Sequence, residues 1–232
     1  MVQDGQTIPN DGSGHDPAIV GSAILTTTND PTALIYKDKK FVWFPGSVGN
    51  HVSNTGLTSP DVASTHIEIT VKVSLDTLGY AHYITGTDST YIVFGVTTSN
   101  EMEFSSYSAN AIRVGGGVSA AIPGVTAGVP IWLKGRVARA NGALEYWYSH
   151  DTTDDVDAVT WTSLAVAGAI TTGTGANWIS ANSDSFLIGT WTSGAAGMKG
   201  KVFYVRQNWG NGAHIRIFDP QNDIGSAVDA GQ

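Results

Sequence analysis

The sequence predicts an all-β chain folded as a two-sheet antiparallel jelly-roll sandwich, and three observations carry that expectation. Apolar and polar residues alternate with a period of two in several stretches. These stretches are short and separated by turns rich in Gly, Asn and Ser, at spacings of roughly 8–12 residues. No stretch makes a convincing helix.

The clearest strand is His66–Leu75, where Ile67, Ile69, Val71, Val73 and Leu75 fall on one face and polar residues on the other, the pattern of a half-buried strand. Tyr91–Thr97 and Glu101–Tyr107 flank Thr98-Ser99-Asn100 and read as a hairpin. A second hairpin joins Ile131–Ala138 to Ala143–Ser149, with Asn141-Gly142 supplying the positive-φ positions of a tight turn. Val159–Val166, Phe186–Trp191, Lys201–Gln207 and His214–Phe218 follow as further strands, and Gly115-Gly116-Gly117 reads as a flexible turn. This number of strands favours a jelly roll over an immunoglobulin-like domain.

A chain of 232 residues suffices for one large sandwich core. Cysteine is absent, so packing and hydrogen bonds alone hold the fold, and neither a disulfide nor a thiolate chemistry is open to it. The net charge of -8, with 12 Lys+Arg against 20 Asp+Glu, opposes nucleic-acid binding. No apolar run approaches the ~18 residues of a membrane span, and the N-terminus lacks the basic start and apolar run of a secretory signal, so neither membrane insertion nor export by that route is expected. Charged residues make up 14%, against about 25% in ordinary globular chains, which suggests that much of the surface meets another protein.

Residues 1–39 differ from the rest. The first 33 contain no aromatic residue and no Lys or Arg, but carry Asp4, Asp11, Asp16 and Asp30 among prolines and glycines. Such a segment buries too little apolar surface to offset its own ordering. It is expected to be an extended arm that orders against a partner, with Ala18-Ile19-Val20 and Ala23-Ile24-Leu25 able to add an edge strand to a neighbour's sheet. Residues 40–232 then form the sandwich.

Several segments in order resemble the concanavalin A-like, laminin-G-like domains of bacteriophage virion proteins. They are Phe44–Ser53, His66–Leu75, Ile131–Val137 with Leu144–Asp151 and Val159–Trp161, and Gly200–Arg206, together spanning Phe44 to Asp219. The resemblance implies a concanavalin A-like sandwich in a virion structural protein, a capsid decoration or a tail or fibre component. It would be assembled in the host cytoplasm, contact other virion proteins through the arm, form a homo-oligomer and adhere to host glycans. A carbohydrate-binding module or lectin is the alternative.

Three constellations bear on chemistry. Glu101 and Glu103 share one strand face, as a retaining glycosidase requires of its two carboxylates, but the Glu-x-Asp-x-x-Glu arrangement of the laminarinase-like relatives lacks its third acid, so no enzyme is expected. The loop Asp151-Thr152-Thr153-Asp154-Asp155-Val156-Asp157 gathers hard oxygen donors, making Asp151, Asp154, Asp155 and Asp157 the candidate ligands if calcium is bound; otherwise no cofactor is expected. Trp147, on the face of its strand opposite Leu144, Tyr146 and Tyr148, and Trp178 and Trp209, in Gly/Asn-rich loops, are the candidate platforms for stacking sugars.

Overall fold

The structure, a computed structural model, describes residues 18–20, 24–27, 40–46, 51–54, 65–87, 92–107, 113–138, 140–169, 186–190, 197–210, 215–220 and 227–228. In chain order the strands are β1 (Ala18–Val20), β2 (Ile24–Thr27), β3 (Lys40–Pro45), β4 (His51–Asn54), β5 (His66–Leu75) and β6 (His82–Thr87). There follow β7 (Ile92–Val96), β8 (Glu101–Tyr107), β9 (Arg113–Ala121), β10 (Pro130–Ala138), β11 (Leu144–Ser149) and β12 (Thr162–Leu164). The last are β13 (Val166–Ala169), β14 (Phe186–Ile188), β15 (Lys199–Asn208), β16 (Ile215–Phe218) and β17 (Ala227–Val228). A 3-10 turn spans Val156–Ala158.

The strands form the two-sheet antiparallel sandwich expected from the sequence. One sheet has the order β1-β4-β14-β6-β7-β8-β9-β13 and the other β12-β11-β10-β5-β15-β16-β17, with β3 also on β15 and β2 on β3. Both expected hairpins are present. Asn100, at φ 59, takes the left-handed position between β7 and β8, which Asn tolerates better than most residues. Gly142, at φ 65, does the same between β10 and β11, and its N–H reaches the Ala138 carbonyl at 2.9 Å.

The core lies between the sheets. Ile67, Ile69, Val71, Val73 and Leu75 of β5 are at most 2% exposed and belong to one cluster with Phe94, Met102 and Phe104 of the opposite sheet. Burial of each such side chain contributes about 1.5–3 kcal/mol. Gly135 makes the central layer possible: a Cβ there would lie 2.7 Å from the Phe94 ring and 2.9 Å from that of Phe104. With only hydrogen in that place, the two rings meet edge to face at 5.6 Å. Beside Gly135 in the register stands Tyr146, whose hydroxyl crosses the core to the other sheet. It donates to the Gly117 carbonyl at 2.6 Å and accepts the Phe104 N–H at 3.0 Å, and Phe104 and Gly117 are register partners on β8 and β9.

Three sequence expectations change here. Gly115-Gly116-Gly117 is the interior of β9 and not a turn, and the Gly117 carbonyl accepts from the Tyr146 hydroxyl. Val159–Val166 is not one strand: β12 pairs with β11 and β13 with β9, so the chain passes from one sheet to the other at Ala165 and closes that side of the sandwich. The strand β5 is not half-exposed, since Thr70, Lys72 and Ser74 on its outward face are also buried. Within the first 39 residues, β1 pairs with β4 and β2 pairs with β3. The other residues of that segment lie outside the described residues.

His82 opens β6 at 1% exposure. One ring nitrogen, Nε2, lies 2.7 Å from the Thr77 carbonyl and the other, Nδ1, accepts the Lys199 N–H at 3.3 Å, which fits a neutral ring protonated on Nε2. Burial lowers its pKa below the ordinary 6.5, with Lys199 acting in the same sense and the Thr77 carbonyl and Asp76 opposing. Below pH ~6.5 the unfolded chain therefore takes up a proton that folded His82 refuses. Stability should be fully present above pH ~6.5 and fall as the pH drops toward the lowered folded value. Melting curves from pH 8 to 5 should show this decline, and His82→Gln should flatten it. Separately, Tyr146→Phe leaves a buried N–H and a buried carbonyl unpaired, and urea unfolding should show a loss of about 2–4 kcal/mol.

Candidate functional site

The outward face of the β12-β11-β10-β5-β15 sheet carries the site, and a buried cation shapes it. Lys72 sits in mid-β5 with its side chain 2% exposed. Its ammonium donates to the Thr152 carbonyl at 3.2 Å, the Thr153 carbonyl at 2.6 Å and Asp154 Oδ1 at 2.7 Å, and stands 5.2 Å from the Trp132 ring centre. Trp132 Nε1–H donates to the same Thr153 carbonyl at 3.0 Å. The loop that follows β11 is thereby drawn down over the sheet, where Val159 packs with Trp132 and Tyr204, and Val156 and Trp161 lie against them. Burial pushes the Tyr204 phenol up to about 12, so it stays neutral beneath the loop.

The structure gives each of the four carboxylates expected as calcium ligands a partner within the protein. Asp151 Oδ2 accepts the Thr160 N–H at 2.6 Å, and Asp155 Oδ1 accepts the Asp157 N–H at 3.0 Å, capping the 3-10 turn. Asp154 pairs with Lys72, and Asp157 Oδ1 lies 3.4 Å from Arg206 Nη1. Among the described residues no three His, Asp or Glu side chains are grouped to hold a metal ion. The four carboxylates face different partners, and the cation that organises the loop is the protein's own ammonium.

Beyond the loop lie two further outward rows of the sheet, in which Thr70 is buried and the other residues are at least partly exposed. One places Ser163, Trp147, Lys134, Thr70 and Arg206 side by side, and the next places Glu145, Arg136, Glu68 and Asn208. Trp147, half-buried, stands on the face the sequence assigned to it. The Lys134 ammonium lies 4.7 Å from the Trp147 ring centre and 4.2 Å from that of Trp161, which the loop brings over from the side. The Arg136 guanidinium lies 5.6 Å from Trp147 and pairs with Glu145, Nε to Oε2 at 2.7 Å. The result is a stacked series of cation and indole, Arg136–Trp147–Lys134–Trp161, on rigid strands and an anchored loop.

Of the tryptophans expected to meet sugars that lie among the described residues, Trp147 is on this face and Trp209 is not. Trp209 is 3% exposed and part of the core cluster, because the chain after β15 turns inward; its exposure was wrongly expected from its Gly/Asn-rich neighbours. Trp178 lies outside the described residues. Trp161 and Lys134 were missed. The alternation of Trp132, Lys134 and Arg136 with Leu133, Gly135 and Val137 already places Lys134 outward, but only the Lys72-held loop brings Trp161 to it. Glu101 and Glu103 are on the opposite sheet, half-buried, with Glu101 Oε2 3.4 Å from the Thr97 hydroxyl.

No protein-family model and no curated protein matches this chain. Solved structures do. Domain 4 of AbnA, a GH43 extracellular arabinanase from Geobacillus stearothermophilus solved with arabinotriose, is similar over 96% of this chain and 86% of its own, with a TM-score of 0.46 and 14% identity. The metal-free VIP36 exoplasmic/lumenal domain is similar over 88% and 90%, at 0.43 and 11%. Peanut lectin with a 9mer peptide is similar over 84% and 90%, at 0.36 and 10%. The sandwich itself is established by its own strand pairing.

If Lys72 holds the loop, Lys72→Met should free residues 152–161 by removing the ammonium's bonds to the Thr152 and Thr153 carbonyls and to Asp154, at a cost of about 2–4 kcal/mol. A lower melting temperature and altered tryptophan fluorescence would check this. Millimolar calcium should shift neither quantity in the wild type.

Proposed function

We propose that this chain is a non-catalytic carbohydrate-binding sandwich whose ligand lies across these outward rows of the β12-β11-β10-β5-β15 sheet. The observation that carries the reading is the stack of Trp147 and Trp161 about Lys134. Indoles offer apolar surface to the C–H groups of a sugar ring, and the charged groups beside them, Arg136, Glu145 and Glu68, offer donors and acceptors to its hydroxyls. Such contacts need fixed geometry, and here most of them project from paired strands. The reading is non-catalytic because the nearest candidate for a glycosidase carboxylate pair, Glu101 and Glu103 on one strand, has no third acid and lies on the other sheet.

A second reading concerns setting rather than chemistry. The ordered resemblance from Phe44 to Asp219 and the low charge content favour a concanavalin A-like structural component of a bacteriophage particle, on which a glycan-binding face would serve adhesion. Mass spectrometry of purified particles tests this: hundreds of copies indicate a capsid component, a handful a tail component, and none ends the reading.

For the glycan reading, the isolated chain should bind defined oligosaccharides on an array. Trp147→Ala should reduce that binding by roughly tenfold or more, with little change in melting temperature because Trp147 lies outside the core cluster. Undiminished binding by Trp147→Ala would move the site elsewhere.

A further inference from the structure

Lys134 differs from the other cations of this face in what it lacks. Lys72 has three oxygen partners, Arg136 has Glu145, and Arg206 reaches Asp157 at 3.4 Å. Among the described residues the Lys134 ammonium has two indole rings and no hydrogen-bond acceptor. An ammonium carries three donors. The rings hold its position and leave its protons for something outside the protein.

The surroundings add to this. Arg206 stands in the same row, two strands away across Thr70, which at the usual strand spacing puts the two backbones about 10 Å apart. Its Nε is buried and has no partner. The neighbouring carboxylates are largely committed, Asp154 to Lys72 and Glu145 to Arg136, which leaves Glu68 as the nearest acidic neighbour in the adjoining row. Burial lowers the Lys134 pKa, Arg136 and Arg206 act in the same direction, and Glu68 and Glu145 oppose; an anion at the ammonium would offset that penalty.

We infer that the ligand of this face is an acidic glycan, with a carboxylate or sulfate oxygen accepting from Lys134 Nζ between Trp147 and Trp161. The inference rests on the carbohydrate-binding reading and names the class of sugar. Neutral sugars satisfy the indoles but leave the ammonium with only a hydroxyl, whereas an anionic oxygen makes the stronger charge-assisted bond. In a chain of net charge -8, local placement of Lys134 and Arg206 is what permits an anion to dock at all.

The test uses the full chain and calorimetry with three oligosaccharides of matched length: a neutral galactan, a galacturonan bearing carboxylates and a sulfated galactan. The wild type should bind one or both acidic glycans roughly tenfold or more tighter than the neutral one, with the advantage shrinking as salt rises. The two acidic arms separate carboxylate from sulfate recognition. Lys134→Met keeps a flexible apolar stem between the indoles and should remove the preference, bringing acidic and neutral glycans to the same affinity; Lys134→Arg should retain it. Equal affinity for neutral and acidic glycans overturns the acidic class and leaves the carbohydrate-binding reading standing. Acidic preference that survives Lys134→Met overturns the assigned position. Binding of none of the three, nor of any glycan on the array, overturns the parent reading itself.

Discussion

The geometry of the candidate site depends on one buried ammonium. Lys72 occupies a mid-strand position from which water is excluded, and a charge there is tolerable only because two carbonyls, a carboxylate and an indole face surround it. Satisfying that charge fixes residues 152–154, and everything downstream follows from the fixed loop. The 3-10 turn caps itself through Asp155, Val159 packs against Trp132, and Trp161 arrives beside Lys134. One lysine is thus sealed by the protein, and its neighbour two residues along the sheet row pattern is left open.

The open face is as rigid as the core behind it. Gly135 on β10 lies between Lys134 and Arg136, and it is also where Phe94 and Phe104 press closest to the strand. Tyr146 separates Glu145 from Trp147 on β11 and is tied by its hydroxyl to the opposite sheet. The residues that pin the two sheets together therefore alternate, one by one, with those that present the stack. A shift of either strand would cost core packing before it moved an indole.

Much of this was legible in the sequence because it rests on local periodicity. The alternation along His66–Leu75 and Leu144–Ser149, and the turn residues at Asn100 and Asn141-Gly142, determine strands and hairpins within a few residues of themselves. What was not legible depends on residues far apart in the chain. Burial of Thr70, Lys72 and Ser74 requires cover over the outward face, to which a loop some eighty residues later contributes. The strand through Gly115-Gly116-Gly117 is invisible to propensity, since its pairing with β8 and β13 and the Tyr146 hydroxyl from β11 all come from elsewhere in the chain. The carboxylates of Asp151–Asp157 suggested a bound metal because composition shows the anions of a loop but not which distant lysine answers them. Trp209 misled for the converse reason: Gly and Asn neighbours mark a turn, and a turn says nothing about which way the next side chain points.

The passage of the chain between sheets at Ala165 has a consequence for how copies of this protein meet. Sheets are dangerous neighbours when they end in long, straight, unpaired strands, because another chain can continue the ladder without limit. On this side of the sandwich the terminal strands are the two halves of a single run, three residues in one sheet and four in the other. A newcomer aligned with either half runs out of partners within a few residues, and the bend at Ala165 carries the next half into the other sheet. Along this side of the sandwich, neighbouring copies therefore find no long ladder to continue.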